Sequence, residues 1–454
     1  MAKKNNSSLG VLLLFILVIA GVIYLYTSEL FEREVPIVSI ENSGYWNLKK
    51  PLDVSIKDSS GVISYKVSML DGITQTDLVY EQLEAAKKSI NLKIKAPRSA
   101  RSIKSESLTI VVEATDISKW NFFAGNKTRK EFKFIIDKKR PELTIIKNSY
   151  KISKGGTALV IFKAKDLNLN KIYIQTNYGK KFKPQPFYKD GYYISLLAWP
   201  ITEKNFKATV VVEDLAGNSS KSYIPLYLKM KNYKVSNIKL SDKFLKGKIA
   251  ELAEEFDETQ GVTDSIEQFK IINEDVRKKN EILIHEITSK VSDEMISDFK
   301  LKKMYPLKNA QVVARFGDHR IYSYKGERIS ESYHLGLDLA SNAFASINPQ
   351  NSGTVVYFDY NGLYGNMPII DHGLGLYTLY GHCSSSNVQS GDHVNSKDSI
   401  ANTGKSGYAM GDHLHFGVLV QGIEVRPQEW MDKTWLKLNI TNIIKDAKKT
   451  IDRI

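Results

Sequence analysis

Three short stretches carry the side chains best suited to hold a metal ion: Tyr333-His334-Leu335-Gly336-Leu337-Asp338, Leu379-Tyr380-Gly381-His382, and Gly411-Asp412-His413-Leu414-His415-Phe416-Gly417-Val418. Seven of the eight histidines fall in the last third of the 454-residue chain, a clustering that needs a reason. On a strand, residues two apart point the same way. His413 and His415 would then share one face, with Leu414 and Phe416 on the other. His334 and Asp338, four apart, would also share a face, and Gly336 between them would leave room for an ion. The single cysteine, Cys383, excludes an intramolecular disulfide and any cysteine-rich zinc site. A metal must therefore take imidazole and carboxylate, a donor set that suits zinc. A catalytic zinc wants three protein ligands and one open position, so one carboxylate and two imidazoles suffice and two histidines are left spare.

The other histidines read differently. Ile284-His285-Glu286-Ile287 starts an H-E-x-x-H zinc helix, but position 289 is Ser and the second ligand is missing, so His285 is expected on a helix face. His372, in a His-Gly turn, is expected to be structural. His319 and His393 read as loop residues.

The elements around these stretches are mostly strands. QVVARF, GTVVYFDY, MPIIDHG, GLYTLYGH and HLHFGVLV alternate or run apolar between glycines. Upstream, residues 36–140 and 141–230 read as two copies of one all-β unit, each opening on a Pro-led strand and closing on a strand that runs into a turn (VVEATDISK, VVEDLAGNSS). They are expected to be immunoglobulin-like β-sandwiches serving as spacers or docking modules. Between them and the histidine-rich part, residues 240–300 change to helical period. SDKFLKGKIAELAEEF forms one helix. A second begins at Asp264, with Asp264 and Glu267 as a capping box and Ile266, Phe269, Ile272, Val276, Leu283 and Ile287 as its apolar stripe. Residues 436–454 form a C-terminal amphipathic helix.

Taken together, ARFG, HLGLDLA, NSGTVVY, YGNMPIIDHGLGLYTLYGH, VQSGDHV, ANTGKSG and GDHLHFGV closely resemble the LytM/lysostaphin-type zinc metallopeptidases, which cut peptide bonds in bacterial peptidoglycan. The resemblance covers about Ala310 to Pro427. It implies a small antiparallel β peptidase domain, here 305–435, with one Zn2+ held by His334, Asp338 and His415. His382 and His413 take the positions of the family's two catalytic, unligated histidines. The expected fold class is thus mainly β and multidomain: a transmembrane helix, two immunoglobulin-like sandwiches, a helical linker and a LytM-type peptidase domain. Two departures stand out. Asp412 occupies a position where many members have Pro, and is expected to serve the turn. Cys383 replaces a usual Leu and is expected to pack as a small hydrophobe.

Lys3 and Lys4 precede an uncharged apolar run, Leu9 to Tyr26, which as a helix would be roughly 27 Å long and could span a bilayer. Glu29, Glu32 and Glu34 follow it. The pattern predicts a cytoplasmic segment 1–8, a transmembrane anchor 9–26 in the inner (plasma) membrane, and an extracytoplasmic remainder. A cleaved signal peptide is the competing reading, but the run continues past Val18-Ile19-Ala20. Charge is uneven: residues 36–239 hold 36 basic against 18 acidic side chains (+18), residues 240–300 hold 9 against 15 (−6), and residues 301–454 hold 16 against 14 (+2). An exported basic region is no partner for nucleic acid. It could face lipid headgroups, an anionic wall polymer, or cell-wall and division-complex proteins. The expected function is peptidoglycan endopeptidase. The alternative is a non-catalytic regulator that activates other wall hydrolases, which retention of all five site residues argues against.

Overall fold

A computed structural model gives the architecture and describes residues 7–41 and 44–453. The fold is mostly β, and the chain divides into two compact units. The first is Met1–Pro141 with Asp166–Asn170 and Glu213–Ser219; the second is Glu142–Lys165, Lys171–Val212 and Ser220–Ile454.

The first unit includes the helix Ser7–Thr27, whose span Leu9–Thr27 is uncharged, strongly apolar and unburied. It is long and apolar enough to cross a membrane. Lys3 and Lys4, on which the expected cytoplasmic segment rests, lie outside the described residues. Six strands then form one sheet in the order Ile37–Ile40, Leu52–Asp71, Ser107–Asp116, Lys127–Ile136, Tyr45–Trp46, with Thr74–Ile94 also paired to Leu52–Asp71. The long hairpin turns at Gly72-Ile73, where Gly72 takes φ +59°, a conformation that favours glycine. Alternation sets its faces: Leu52, Val54 and Ile56 are buried while Asp53 and Lys57 are exposed. The core gathers Val54, Ile56, Val67, Ile110, Val112 and Phe134 against Trp46.

In the second unit, Thr157–Lys165 lies between Tyr192–Ala198 and Glu142–Asn148 in a four-stranded sheet. Two helical runs follow, Asp242–Glu255 and Ser265–Thr288, as the change of period predicts. Asp264 caps the second by accepting from the N–H groups of Ile266 and Glu267 at 2.9 and 2.8 Å. Their apolar stripe packs on the histidine-rich β region. Leu252, Phe269, Ile272 and Val276 share one core with Met367, Ile369, Tyr377 and Leu379. Each such side chain contributes roughly 1.5–3 kcal/mol on burial, so this face fixes the helices on the sheet.

That sheet has eight strands. The order is Gln311–Ala314, Leu337–Ala340, Leu414–Val420, Leu376–Gly381, Asn366–Asp371, Gly353–Tyr360, His393–Val394, with Ile423–Val425 paired to Leu414–Val420. All its pairings are antiparallel. Leu414–Val420 is buried along its whole length, which explains the unbroken apolar run on both sides of His415. A last helical run, Lys433–Ile451, packs on Glu142–Asn148.

Three local expectations change. His334 is not on a strand with Asp338: it sits between Glu327–Tyr333 and Leu337–Ala340, and its N–H donates to the Asp318 carbonyl at 3.0 Å. The two donors converge because the chain bends at Leu335-Gly336, not because of a period of two. His413 likewise precedes its strand and is joined to Gly404 by an isolated bridge. His319 and His393 are strand residues rather than loop residues. His319 opens His319–Tyr324 and stacks on Tyr333 at 4.5 Å, and His393 opens His393–Val394.

Candidate metal centre

The register of the sheet assembles the site. Asp338 pairs with His415 across Leu337–Ala340 and Leu414–Val420, and Gly381 pairs with His415 from the other side. The central strand therefore carries His415 between the strand that bears Asp338 and the strand that delivers His382. Asp338 Oδ1 stands 2.9 Å from His334 Nε2 and 2.8 Å from His415 Nδ1, and the two nitrogens are 3.2 Å apart. All three side chains are buried. Zinc ligands at about 2.0–2.2 Å in tetrahedral array stand about 3.3 Å from one another, so this donor set fits one zinc-sized ion. The group His334, Asp338 and His415 could hold a metal.

Surrounding groups fix the donors. His334 turns Nδ1 to the Arg315 carbonyl at 3.0 Å, which places the proton there and leaves Nε2 free as a ligand. Burial opposes ionisation of Asp338, yet the facing imidazoles of His334 and His415 hold its carboxyl well below the ordinary carboxylate range. Burial lowers His415, which keeps it neutral and able to donate a lone pair. Gly336 has a sharper reason than room for an ion. A Cβ there would lie 2.4 Å from Cε1 and Nε2 of His415, so only glycine lets the ring take its place.

His382 and His413 lie side by side, their rings 4.8 Å apart, at the edge of the donor set. His382 adopts φ +65°, a left-handed conformation that costs a non-glycine residue roughly 1–2 kcal/mol. Two hydrogen bonds offset that cost: its N–H donates to the Tyr364 carbonyl and its Nδ1 to the Ser406 carbonyl, both at 2.8 Å. Nε2 is left for other work. Burial, with His415 and His413 nearby, pushes His382 down to about 3, so it is a neutral imidazole at pH 7. His413 places Nδ1 2.8 Å from the Gly411 carbonyl and Nε2 3.7 Å from Asp338 Oδ2. Asp412 serves the turn, as expected. Its carboxylate accepts from Thr403 Oγ1 at 2.6 Å and from the Phe344 N–H at 3.1 Å.

The remaining candidates fall elsewhere. His372 is saturated, with Nδ1 2.8 Å from the Ser352 carbonyl and Nε2 2.8 Å from Thr378 Oγ1; burial pushes it down to about 4. His285 lies on the helix Arg277–Thr288 with Nε2 2.7 Å from Glu424 Oε1. Cys383 is fully buried and its thiol is pushed up to about 12, so it packs rather than reacts. Sequence reasoning missed five residues that line the same cleft: Arg277, Arg320, Tyr333, Tyr364 and Tyr408. Arg277 comes from the helical segment, where it donates to the Asn273 carbonyl and Oδ1 at 3.1 and 3.0 Å. It directly follows Val276 of the apolar stripe, and nothing in the local sequence signals that it reaches the cleft.

A His–Asp–His donor set with two spare imidazoles lies in an antiparallel β cleft and could hold one metal ion. Residues 332–427 match the profile of Peptidase family M23, and the chain carries an M23 domain of the LytM type. Among curated proteins, the chain is similar to stage II sporulation protein Q of Bacillus subtilis (32% identity; 22% of this chain, 38% of that one). It is also similar to the peptidoglycan DD-endopeptidase ShyC of Vibrio cholerae (29%; 27% and 28%) and to the murein hydrolase activator EnvC of Escherichia coli (30%; 25% and 27%). The chain thus spans between about a quarter and two fifths of the length of these relatives.

Proposed function

We propose that the protein is a membrane-anchored, zinc-dependent endopeptidase that hydrolyses the peptide cross-links of peptidoglycan. In this reading the helix Ser7–Thr27 crosses the plasma (inner) membrane and the rest of the chain is extracytoplasmic. The observation that carries the proposal is the convergence of His334, Asp338 and His415 within ligand distance of one point, with two further imidazoles beside it. ShyC, named as a peptidoglycan endopeptidase, supports the substrate class.

A zinc ion bound there would supply Lewis acidity and lower the pKa of an attacking water to ~7. The chain's own residues do the rest. His334, Asp338 and His415 hold the ion. His413, outside the donor set, accepts the proton of the attacking water and donates it to the scissile carbonyl oxygen as that oxygen gains charge, while His382, a neutral imidazole with an accepting Nε2, orients the water. The likeness to EnvC, named as a hydrolase activator, favours a second reading in which the domain regulates other wall enzymes. A complete donor set favours the first.

The test is digestion of diaminopimelate-type peptidoglycan by the purified full chain in detergent, followed by mass spectrometry of the muropeptides. Cleavage of D-Ala–diaminopimelate cross-links, lost on chelation and restored by zinc, is the expected result. Unaltered muropeptides from zinc-loaded protein would replace this reading with the regulatory one.

A further inference from the structure

The cleft that holds the donor set also holds two cations that the proposed mechanism leaves unused, Arg277 and Arg320. Asp338 is the single carboxylate among the described residues lining that cleft, and it is committed to His334 and His415. The two arginines arrive from different elements. Arg277 directly follows Val276, whose burial in the shared core sets the helical run on the sheet. Arg320 lies on His319–Tyr324 opposite Ser332, in a hairpin whose second strand leads into His334.

Neither guanidinium is spent within the protein. Arg277 uses Nε and Nη2 on the Asn273 carbonyl and side chain, so its Nη1 has no partner among the described residues. Glu281, one turn further on, feels the Arg277 charge without forming an ion pair with it among the described residues. Arg320 brings Nε only to 3.7 Å from Asp318 Oδ2, and the Asp318 carboxylate takes the Ser236 hydroxyl at 2.8 Å. The carboxylates next to the cleft are engaged elsewhere: Glu331 with Arg328 and His319, and Glu274 with the Ser330 hydroxyl. Burial and the Tyr322 phenol raise the Tyr408 phenol, whereas Arg277 and Arg320 both act to lower it, so both charges bear on one hydroxyl of the cleft wall. Guanidinium, a planar fork of donors that keeps its charge at any working pH, is the side chain best matched to a carboxylate.

A cross-link from D-alanine to diaminopimelate presents the complementary charge. The carbon that bears its leaving nitrogen also bears a free carboxylate, whose carbon is about 2.5 Å from that nitrogen by standard bond lengths. A substrate seated with its scissile carbonyl at the donor set therefore carries this carboxylate into the same cleft. A glycine bridge carries none there. Arg277, Tyr333 and Leu335 also border a second pocket of about 300 Å³, which gives the rest of the peptide room to leave the cleft.

We infer that Arg277 and Arg320 form a carboxylate subsite beside the metal centre, which reads the free carboxylate next to the scissile amide. The inference takes its substrate from the endopeptidase reading above. Two cross-linked muropeptide dimers test it, one with that carboxylate free and one with it converted to the carboxamide. Each is titrated against the full chain in detergent after chelation, so that binding is read without cleavage, and is then digested by the zinc-loaded protein. The wild type should bind the free carboxylate about 10-fold more tightly and cleave it with a correspondingly lower KM, as a charge-assisted hydrogen bond would give. Arg277→Gln and Arg320→Gln should each remove most of that preference, acting on KM rather than kcat and keeping the wild-type zinc content. Arg277→Lys should restore part of it. A binding preference without cleavage would uphold the subsite and overturn the endopeptidase reading instead. Equal binding of the two dimers by the wild type, or a preference that survives both glutamine substitutions, would overturn the inference.

Discussion

Asp338 and Glu429 are both buried carboxylates of the second unit, 8% and 4% exposed, and they behave in opposite ways. Asp338 faces the imidazoles of His334 and His415, and its carboxyl is held well below the ordinary range. Glu429 accepts from the Thr157 N–H at 3.0 Å, while the Arg426 guanidinium stays 3.9 Å away; burial pushes it up to about 7. Burial raises both; in Glu429 it prevails, and in Asp338 the facing imidazoles overcome it. What faces the carboxylate decides whether it is an anion ready for a metal or an acid that keeps its proton as part of the packing.

Substitutions at Asp338 should have the largest effect. Asp338→Ala and His415→Ala should each abolish zinc binding, measured as metal per chain, and lower peptidoglycan cleavage by about 10³-fold or more, because the several kcal/mol of Lewis-acid stabilisation goes with the ion. Glu429 makes the opposite case through pH. Its carboxyl is raised above the ordinary 4.5 in the folded chain, so its contribution to stability is full below that value and is lost as pH rises through about 7. A shift of this size corresponds to roughly 3 kcal/mol. Melting temperatures between pH 5 and 8 should fall for the wild type, and Glu429→Gln should flatten that fall while leaving zinc binding unchanged.

Gly336→Ala sharpens the contrast without touching a donor atom. Its methyl group would displace the His415 ring, and zinc affinity should weaken by about 10–100-fold in a competitive chelator titration. Asp264, a capping carboxylate with its donors on the exposed side of the helix, gives the smallest effect. Asp264→Ala should cost about 1 kcal/mol in denaturant unfolding and leave zinc affinity unaltered.

The strands of the C-terminal sheet and the meeting of the five candidate residues were legible because HLGLD, YGH and HLHFG are local signals whose side chains meet through neighbouring strands. The apolar helix, the change of period at 240–300 and the packing role of Cys383 were legible for the same reason: each is written in a single window of sequence. The bend that brings His334 to Asp338 was not, since a four-residue spacing looks alike on one strand or across a turn. Nor was the clash that makes Gly336 obligatory, which needs the His415 ring in place. Arg277 reaches the cleft from a helix far upstream, and only the angle at which that helix packs on the sheet puts its guanidinium there.

The most direct test separates ligand from partner within one short stretch, His413 from His415. Zinc content and muropeptide release are measured together on purified His413→Ala protein. The account predicts one zinc per chain, as in the wild type, with cleavage of cross-linked peptidoglycan reduced by about 10²–10⁴-fold. Full-rate cleavage by His413→Ala, or loss of its zinc, would contradict the division of roles on which the proposed mechanism stands.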